Sequence, residues 1–487
     1  MNTPTKFLLT AVLSLGLAVS AQAATLTWTG GGDGVSWNDA DNWGGFTPAS
    51  GDTLIFTSAA NGQTLNNNTA ADNTYIINFA TGANNITFSG NRVTSLQNAW
   101  FTTANNNTFG SHTINFDVLM NNPDASQRLT TFRPGSGQTW TVNSLLTSTT
   151  ADSGLQVTGG GNAIFTNDDN SFDGNISVIG NSTMSFTSLN NVGQNSSLGT
   201  GTSNNASRPG SVLRVGAGTL NFVGSSDSTT DRTWLQANAT TSRLFANGTD
   251  GAKIVFTGDG DGNFSAQAAG TGTRPFTLGG DSTADNEISG IISTWSTTTG
   301  ITSVTKIGDG KWILSGANTY SGGTTVSAGT LVVGNNSALG TGGVTVASGG
   351  RLTADASNRT ISNTVTNSAS GGAIFGQDGA GRLILAGDFI SGAGGGQRAI
   401  TTNGEVELSG EFVTQAGGSA ARDFVGGGTF IISSAQTKLN AINNDRYYLT
   451  HGAVALLTAM QQAPTSALTC ATLGPFRARA NCKWTTL

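Results

Sequence analysis

Charge and reactive side chains are scarce in this sequence. Only 10% of its 487 residues are Asp, Glu, Lys or Arg, and the only histidines are His112 and His451. Two histidines far apart in the chain form no ligand set with metal spacing. The only cysteines, Cys470 and Cys482, lie close to the C-terminal end, so most of the chain folds without disulfide staples. A net charge of −6 and a pI of about 4.9, with no basic stripe, exclude nucleic-acid binding. Glu, Lys, Leu and Ala, which a helical surface needs, are thin throughout. Beyond residue 24 no run is long and apolar enough for a transmembrane helix, so the mature chain carries no membrane segment of that kind.

The first residues form an export signal. Lys6 gives a positive start, Phe7 to Val19 is largely apolar, and Ala21-Gln22-Ala23 supplies the small-x-small pattern of a signal-peptidase site. Residues 1–24 are therefore expected to be cleaved, which places the mature chain outside the cytoplasm.

What remains is rich in Gly (69 residues), Asn, Thr and Ser, with 36% apolar residues to bury. Short β-branched runs punctuated by Gly and Asn predict many short strands joined by tight turns. The best-formed unit is KIGDGKWILSGANTYSGGTTVSAGTLVVGNNSALGTGGVTVASGGRL, residues 306–352. Its strands are expected at Lys311 to Leu314, Thr324 to Ser327, Thr330 to Val333 and Val344 to Val346. VGGGTFIISSAQT, from Val425 to Thr437, matches its opening position by position. GAGRLILAGDF, ending at Phe389, and GAGTLNFVG, from Gly216, are shorter copies. GGGNAIFTNDDNSFDGNISVIGNSTMSF, from Gly159, repeats the longer plan, with Asn170-Ser171-Phe172 standing where Asn318-Thr319-Tyr320 does. SSLGTG, ending at Gly201, echoes SALGTG, ending at Gly342.

Runs this short suit the faces of a solenoid, where each coil hydrogen-bonds to the next and Gly or Asn turns the corners. The fold expected is a parallel β-helix over residues 59–440; tandem β-sandwiches are the alternative. At about twenty residues per coil it would have about twenty coils and a length near 100 Å, at about 4.8 Å per coil. Residues 25–58, with Trp28, Trp37 and Trp43, are expected to cover the first rung as an aromatic cap. The competing use of those rings is a platform for sugars. Residues 441–487 change character and read as an atypical tail, a natural cap or a truncated or frame-shifted end, with a short helix possible at Ala453 to Gln462.

The unit at 306–352, with its GKWILSGANTYSGGTTVSAGTL core, closely resembles the autotransporter-associated β-strand repeat, or passenger-associated transport repeat. The Trp-rich start is similar to the N-terminal segment common in exported proteins that carry it. The resemblance implies a right-handed parallel β-helix passenger of a Gram-negative-type bacterium, secreted or at the cell surface. It defines no catalytic residues. The terminal membrane β-barrel of an autotransporter has no counterpart in this sequence.

Chemistry elsewhere is thin. His112, in SHTIN, reads as a solvated strand residue. Asp168-Asp169 is an adjacent carboxylate pair, but in a Gly/Asn-rich turn without a His or Arg beside it in sequence. Asp259-Gly260-Asp261-Gly262-Asn263 opens like a calcium loop, yet Phe264 and Gly270 replace the Gly and Glu that such a loop requires. No catalytic, cofactor-binding or metal residues are therefore assigned. The function expected is that of an exported structural or surface-display rod, and not an enzyme. An adhesin or carbohydrate-binding protein is the second reading, and a polysaccharide lyase or hydrolase the third. The partners implied are cell-surface glycans or an outer-membrane export machinery.

Overall fold

The computed structural model describes residues 23–486 apart from 96–100, 104–109, 122–128, 205–208, 237–240, 260–271, 295–299, 369–371, 392–397, 415–421, 434–446, 451–453, 458–465 and 474–478. Most of the expected export signal lies outside the described residues. The rest is a parallel β-solenoid. Only two short 3-10 turns, Ala40–Trp43 and Ser58–Ala60, interrupt the strands among the described residues. No helix there is long and apolar enough to cross a membrane.

One sheet runs unbroken through most of the length. Its 15 parallel strands begin at Thr64–Asn67 and end at Phe412–Thr414. Two further faces complete a triangular coil, and both are broken. The face that precedes the continuous sheet in each coil has 9 strands up to Thr233–Gln236 and resumes as a 5-stranded sheet at Arg359–Ile361. The face that follows it has 4 strands up to Leu146–Ser148 and resumes at Ser228–Thr230. In each gap a loop takes the place of the strand.

The core is a set of stacked columns. One passes in direct register through Ile86, His112, Trp140, Ala163, Met184, Leu220, Leu244, Leu278, Lys306, Val326, Val346, Asn367 and Ser391. All thirteen are buried. The alternating buried and half-buried pattern of Lys311–Leu314 and Thr324–Val326 is what a strand with one face inward requires.

The strands expected in the 306–352 unit are found. They lie at Lys311–Leu314, Thr324–Val326, Gly329–Val333 and Val344–Val346. The coil length differs from expectation. Successive rungs are separated by 20 residues from Val304 to Thr324, but by 36 from Thr183 to Thr219, because whole loops replace or extend one face. The continuous sheet therefore spans about 70 Å at about 4.8 Å per strand, not 100 Å.

Trp28, Trp37 and Trp43 plug the first coils. Trp37 meets Tyr75, Phe88 and Phe116 edge-on at 5.7, 6.2 and 6.0 Å, and Trp28 meets Trp43 at 4.9 Å. All three indoles are buried, which removes them as a platform for sugar rings. Towards the other end, Tyr447–Thr450 and Val454–Leu457 continue the parallel ladders, so the helix expected at Ala453 to Gln462 is instead a strand over its first part. Ser466–Leu473 and Arg479–Thr486 then pair antiparallel, with Cys470 opposite Cys482 in register.

These dimensions are measurable. The purified chain is expected to give a β-type far-UV circular dichroism spectrum and a small-angle scattering profile of a rod. A compact, near-spherical profile would contradict the solenoid.

Candidate functional site

The residues that define the repeat hold one coil to its neighbours. The coil at 304–333 has strands on two faces only; Ser315 to Gly323 crosses the third as a loop. Without a strand there, the backbone lacks a ladder, and side chains supply the bonds. Asn318 Oδ1 accepts from Ile292 N of the preceding coil at 2.7 Å, while its Nδ2 donates to Ala338 O of the next at 2.6 Å. Tyr320 is fully buried and its hydroxyl shares a hydrogen bond with Thr324 Oγ1 at 2.6 Å; burial pushes the phenol well above its usual range. Its carbonyl accepts from Thr341 N at 2.9 Å, and a Cβ on Gly340, itself at φ 65°, would lie 2.3 Å from that carbonyl oxygen. Only glycine fits there.

The copy upstream repeats the asparagine and carbonyl contacts, although Phe172 has no hydroxyl to match that of Tyr320. Asn170 accepts from Leu146 N at 2.7 Å and donates to Ser197 O at 2.9 Å. Phe172 O accepts from Thr200 N at 2.8 Å, against Gly199 at φ 69°. The copies nevertheless occupy different faces. Lys311–Leu314 follows the continuous sheet, whereas its counterpart Asn162–Phe165 belongs to it and Thr429–Ile432 lies on the third face. The motif thus encodes a corner, a strand and a stapled loop, and moves around the triangle from copy to copy. Sequence comparison found the motif but not its rotation.

Two buried cations reinforce corners. Lys306 occupies an inward position and is fully buried; its Nζ donates to Ile307 O at 2.7 Å, Gly308 O at 2.8 Å and Ala328 O at 3.3 Å, joining corners of adjacent coils. Burial lowers its amine to about 8, with Asp309 and Asp281 opposing the shift. Arg232, also fully buried, donates to Leu198 O and Gly199 O and ties down the long loop that follows Phe186. Burial holds its guanidinium down at about 10.

His112 is not solvated. Its strand, His112–Ile114, turns the imidazole inward, where it stacks on Phe79 at 4.0 Å and 11° and meets Trp140 at 5.7 Å. Ile86 N donates to Nδ1 at 3.4 Å, and burial pulls the ring down to about 3, so it is neutral. The register of the coil, invisible in the sequence SHTIN, decides that it points in.

The carboxylates examined for chemistry serve as ties. Asp168 and Asp169 lie in an exposed turn, and Asp168 Oδ1 accepts from Thr187 Oγ1 and Ser188 Oγ, both at 2.6 Å. Asp259 accepts from Ile291 N at 2.8 Å; the remainder of the calcium-like run lies outside the described residues. Among the described residues no group of three His, Cys, Asp or Glu side chains is placed to hold a metal ion.

Comparison with known proteins finds the same repeat. The model of the passenger-associated transport repeat matches residues 304–333, the stapled coil itself. Over 345 residues, 67% of its length, the chain is 28% identical to the "Adhesin BmaC autotransporter" of Brucella suis biovar 1 (strain 1330). It spans only 9% of that relative. No solved structure matches the chain.

Two substitutions probe these roles. Asn318→Ala leaves Ile292 N and Ala338 O without their partners and is expected to destabilise the coil by about 2–3 kcal/mol, read as lost hydrogen-exchange protection around residues 292 and 338. His112 titrates in the folded chain at about 3 against 6.5 when free, so the unfolded chain takes the proton first. Stability from this group is complete above pH 6.5 and falls as pH drops toward 3, by at most about 1.4 kcal/mol per pH unit. His112→Phe, which keeps the stack, is expected to narrow the gap between the melting temperatures at about pH 7.5 and about pH 5.

Proposed function

Because the chain carries a passenger-associated transport repeat, we propose that it is an exported, surface-displayed rod whose work is adhesion rather than catalysis. The observation that carries this reading is the match of the repeat to one coil of a sheet that continues unbroken through 15 strands. Such a rod holds a surface away from its point of attachment, and the adhesin among its relatives supports a binding role. An outer-membrane export machinery is the partner this route requires. Further support comes from the carboxylates weighed for catalysis or metal binding: Asp168 and Asp259 are engaged in ties between coils.

The reading is tested on cells that produce the full chain. Protease added to intact cells is expected to remove it, loss of the gene is expected to reduce attachment to surfaces or other cells, and purified chain is expected to compete for that attachment. A chain that stays protected inside the envelope, or release of sugar fragments from polysaccharides by the purified chain, would overturn it.

A further inference from the structure

The outward side of the continuous sheet divides into two halves of different character. In the first, polar side chains bond to one another along the axis. Ser185 Oγ donates to Asn162 Oδ1 at 2.9 Å, Asn221 Nδ2 to Ser185 Oγ at 3.1 Å, Asn247 Nδ2 to Asn221 Oδ1 at 2.7 Å, and Asp281 N to Asn247 Oδ1 at 2.9 Å. Those groups satisfy one another; ahead of them Thr64, Thr87, Thr113 and Thr141 stand in register, with hydroxyls that make no hydrogen bond among the described residues.

The second half carries a further threonine row, with small neighbours around most of it. Thr277, Thr305, Thr325, Thr345 and Thr366 stand on five successive coils in direct register. The last four are half-exposed, and each alternates with buried neighbours such as Val304, Val326 and Val344, which fixes its direction outward. No hydroxyl of the five takes part in a hydrogen bond within the described chain. Gly323 and Gly343 on one side and Ser327, Ala347 and Ser368 on the other flank its last three members with small residues, while Ile307 flanks Thr305 and Arg243 stands in register before Thr277. From Thr305 to Thr366 the result is an uncharged row of half-exposed hydroxyls and methyls with a period of about 4.8 Å.

We infer that this threonine row is a track for a neutral, extended β-linked polysaccharide. The absence of charge on the row matches a neutral polymer and disfavours an anionic one. A fully extended β-1,4-linked glycan advances one sugar over nearly the distance between adjacent strands, so hydroxyls on successive coils meet successive sugars in phase. Among the described residues every Trp and Tyr with a known environment is buried, so recognition rests on hydroxyl pairs and not on ring stacking. Each contact is weak, and affinity comes from several rungs engaged together. The inference names a ligand class for the adhesive rod proposed above.

The test uses the purified full chain. Retention on microcrystalline cellulose or chitin is expected, stronger than on coiled neutral amylose or on polygalacturonate, and insensitive to salt. The variant Thr305→Val/Thr325→Val/Thr345→Val keeps β-branched shape but removes three hydroxyls; at least a five-fold loss of retention is expected with an unchanged dichroism spectrum. The corresponding Thr→Ser variant, which restores the hydroxyls, is expected to bind nearly as the natural chain does. Thr330→Val/Thr401→Val, on another face, is expected to have no effect. No retention on cellulose or chitin, equal retention on polygalacturonate, or full binding by the Val variant would overturn the track. Those results would leave surface display, read from protease treatment of cells, untouched.

Discussion

The parallel strands of this solenoid find their hydrogen-bond partners in neighbouring coils, in register, and that constraint governs everything else. A residue's neighbours along the axis are fixed by pairing, so like positions stack into columns. The column from Ile86 to Ser391 has thirteen rungs and admits few polar side chains. Lys306 is tolerated because carbonyls of two corners surround its ammonium. His112 is tolerated because it stays neutral between aromatic rings. An isolated buried charge would cost several kcal/mol, so these exceptions mark places where the corner geometry is already determined.

The same constraint explains why the repeat is irregular in spacing yet faithful in detail. A coil needs one continuous sheet and enough bonding on the other faces to close the triangle. Strands close it in most coils; elsewhere, a loop held by one Asn does so. Asn has a donor and an acceptor on one short side chain, so it reaches the amide of one coil and the carbonyl of the next. Asn170, Asn286 and Asn318 all do this. Since the device is local, it works on any face, and selection for it leaves copies that are rotated relative to one another.

This accounts for what the sequence disclosed. The strand Lys311–Leu314 was legible because alternation and flanking glycines are both local signals, and the pairing of Asn170-Ser171-Phe172 with Asn318-Thr319-Tyr320 survived because each residue makes a specific contact. The class of fold followed from the shortness of the runs. Coil number did not, because loop insertions such as the one tied by Arg232 look like additional rungs when read linearly. His112 was misread for a related reason: in Ser-His-Thr-Ile-Asn both alternations contain a polar residue, and only register selects the inward one. The tryptophans were placed correctly as a cap, and their burial decides between packing and sugar stacking.

Cohesion and exposure are divided in a way that bears on function. The interior columns, the corner lysine and the Asn staples hold coils together from within and at the edges. They leave the outward positions of the continuous sheet with no structural duty beyond β propensity, which Thr satisfies well. In part of the first half of that sheet Asn and Ser bond along the axis. In the second half the stapled coil and its neighbours are secured by Asn318, Tyr320 and Lys306 on other sides, and the Thr hydroxyls remain unengaged. A rod stabilised elsewhere can present a regular polar surface without that surface also carrying the fold, and hydroxyls held at fixed spacing lose little further freedom on meeting a regular partner.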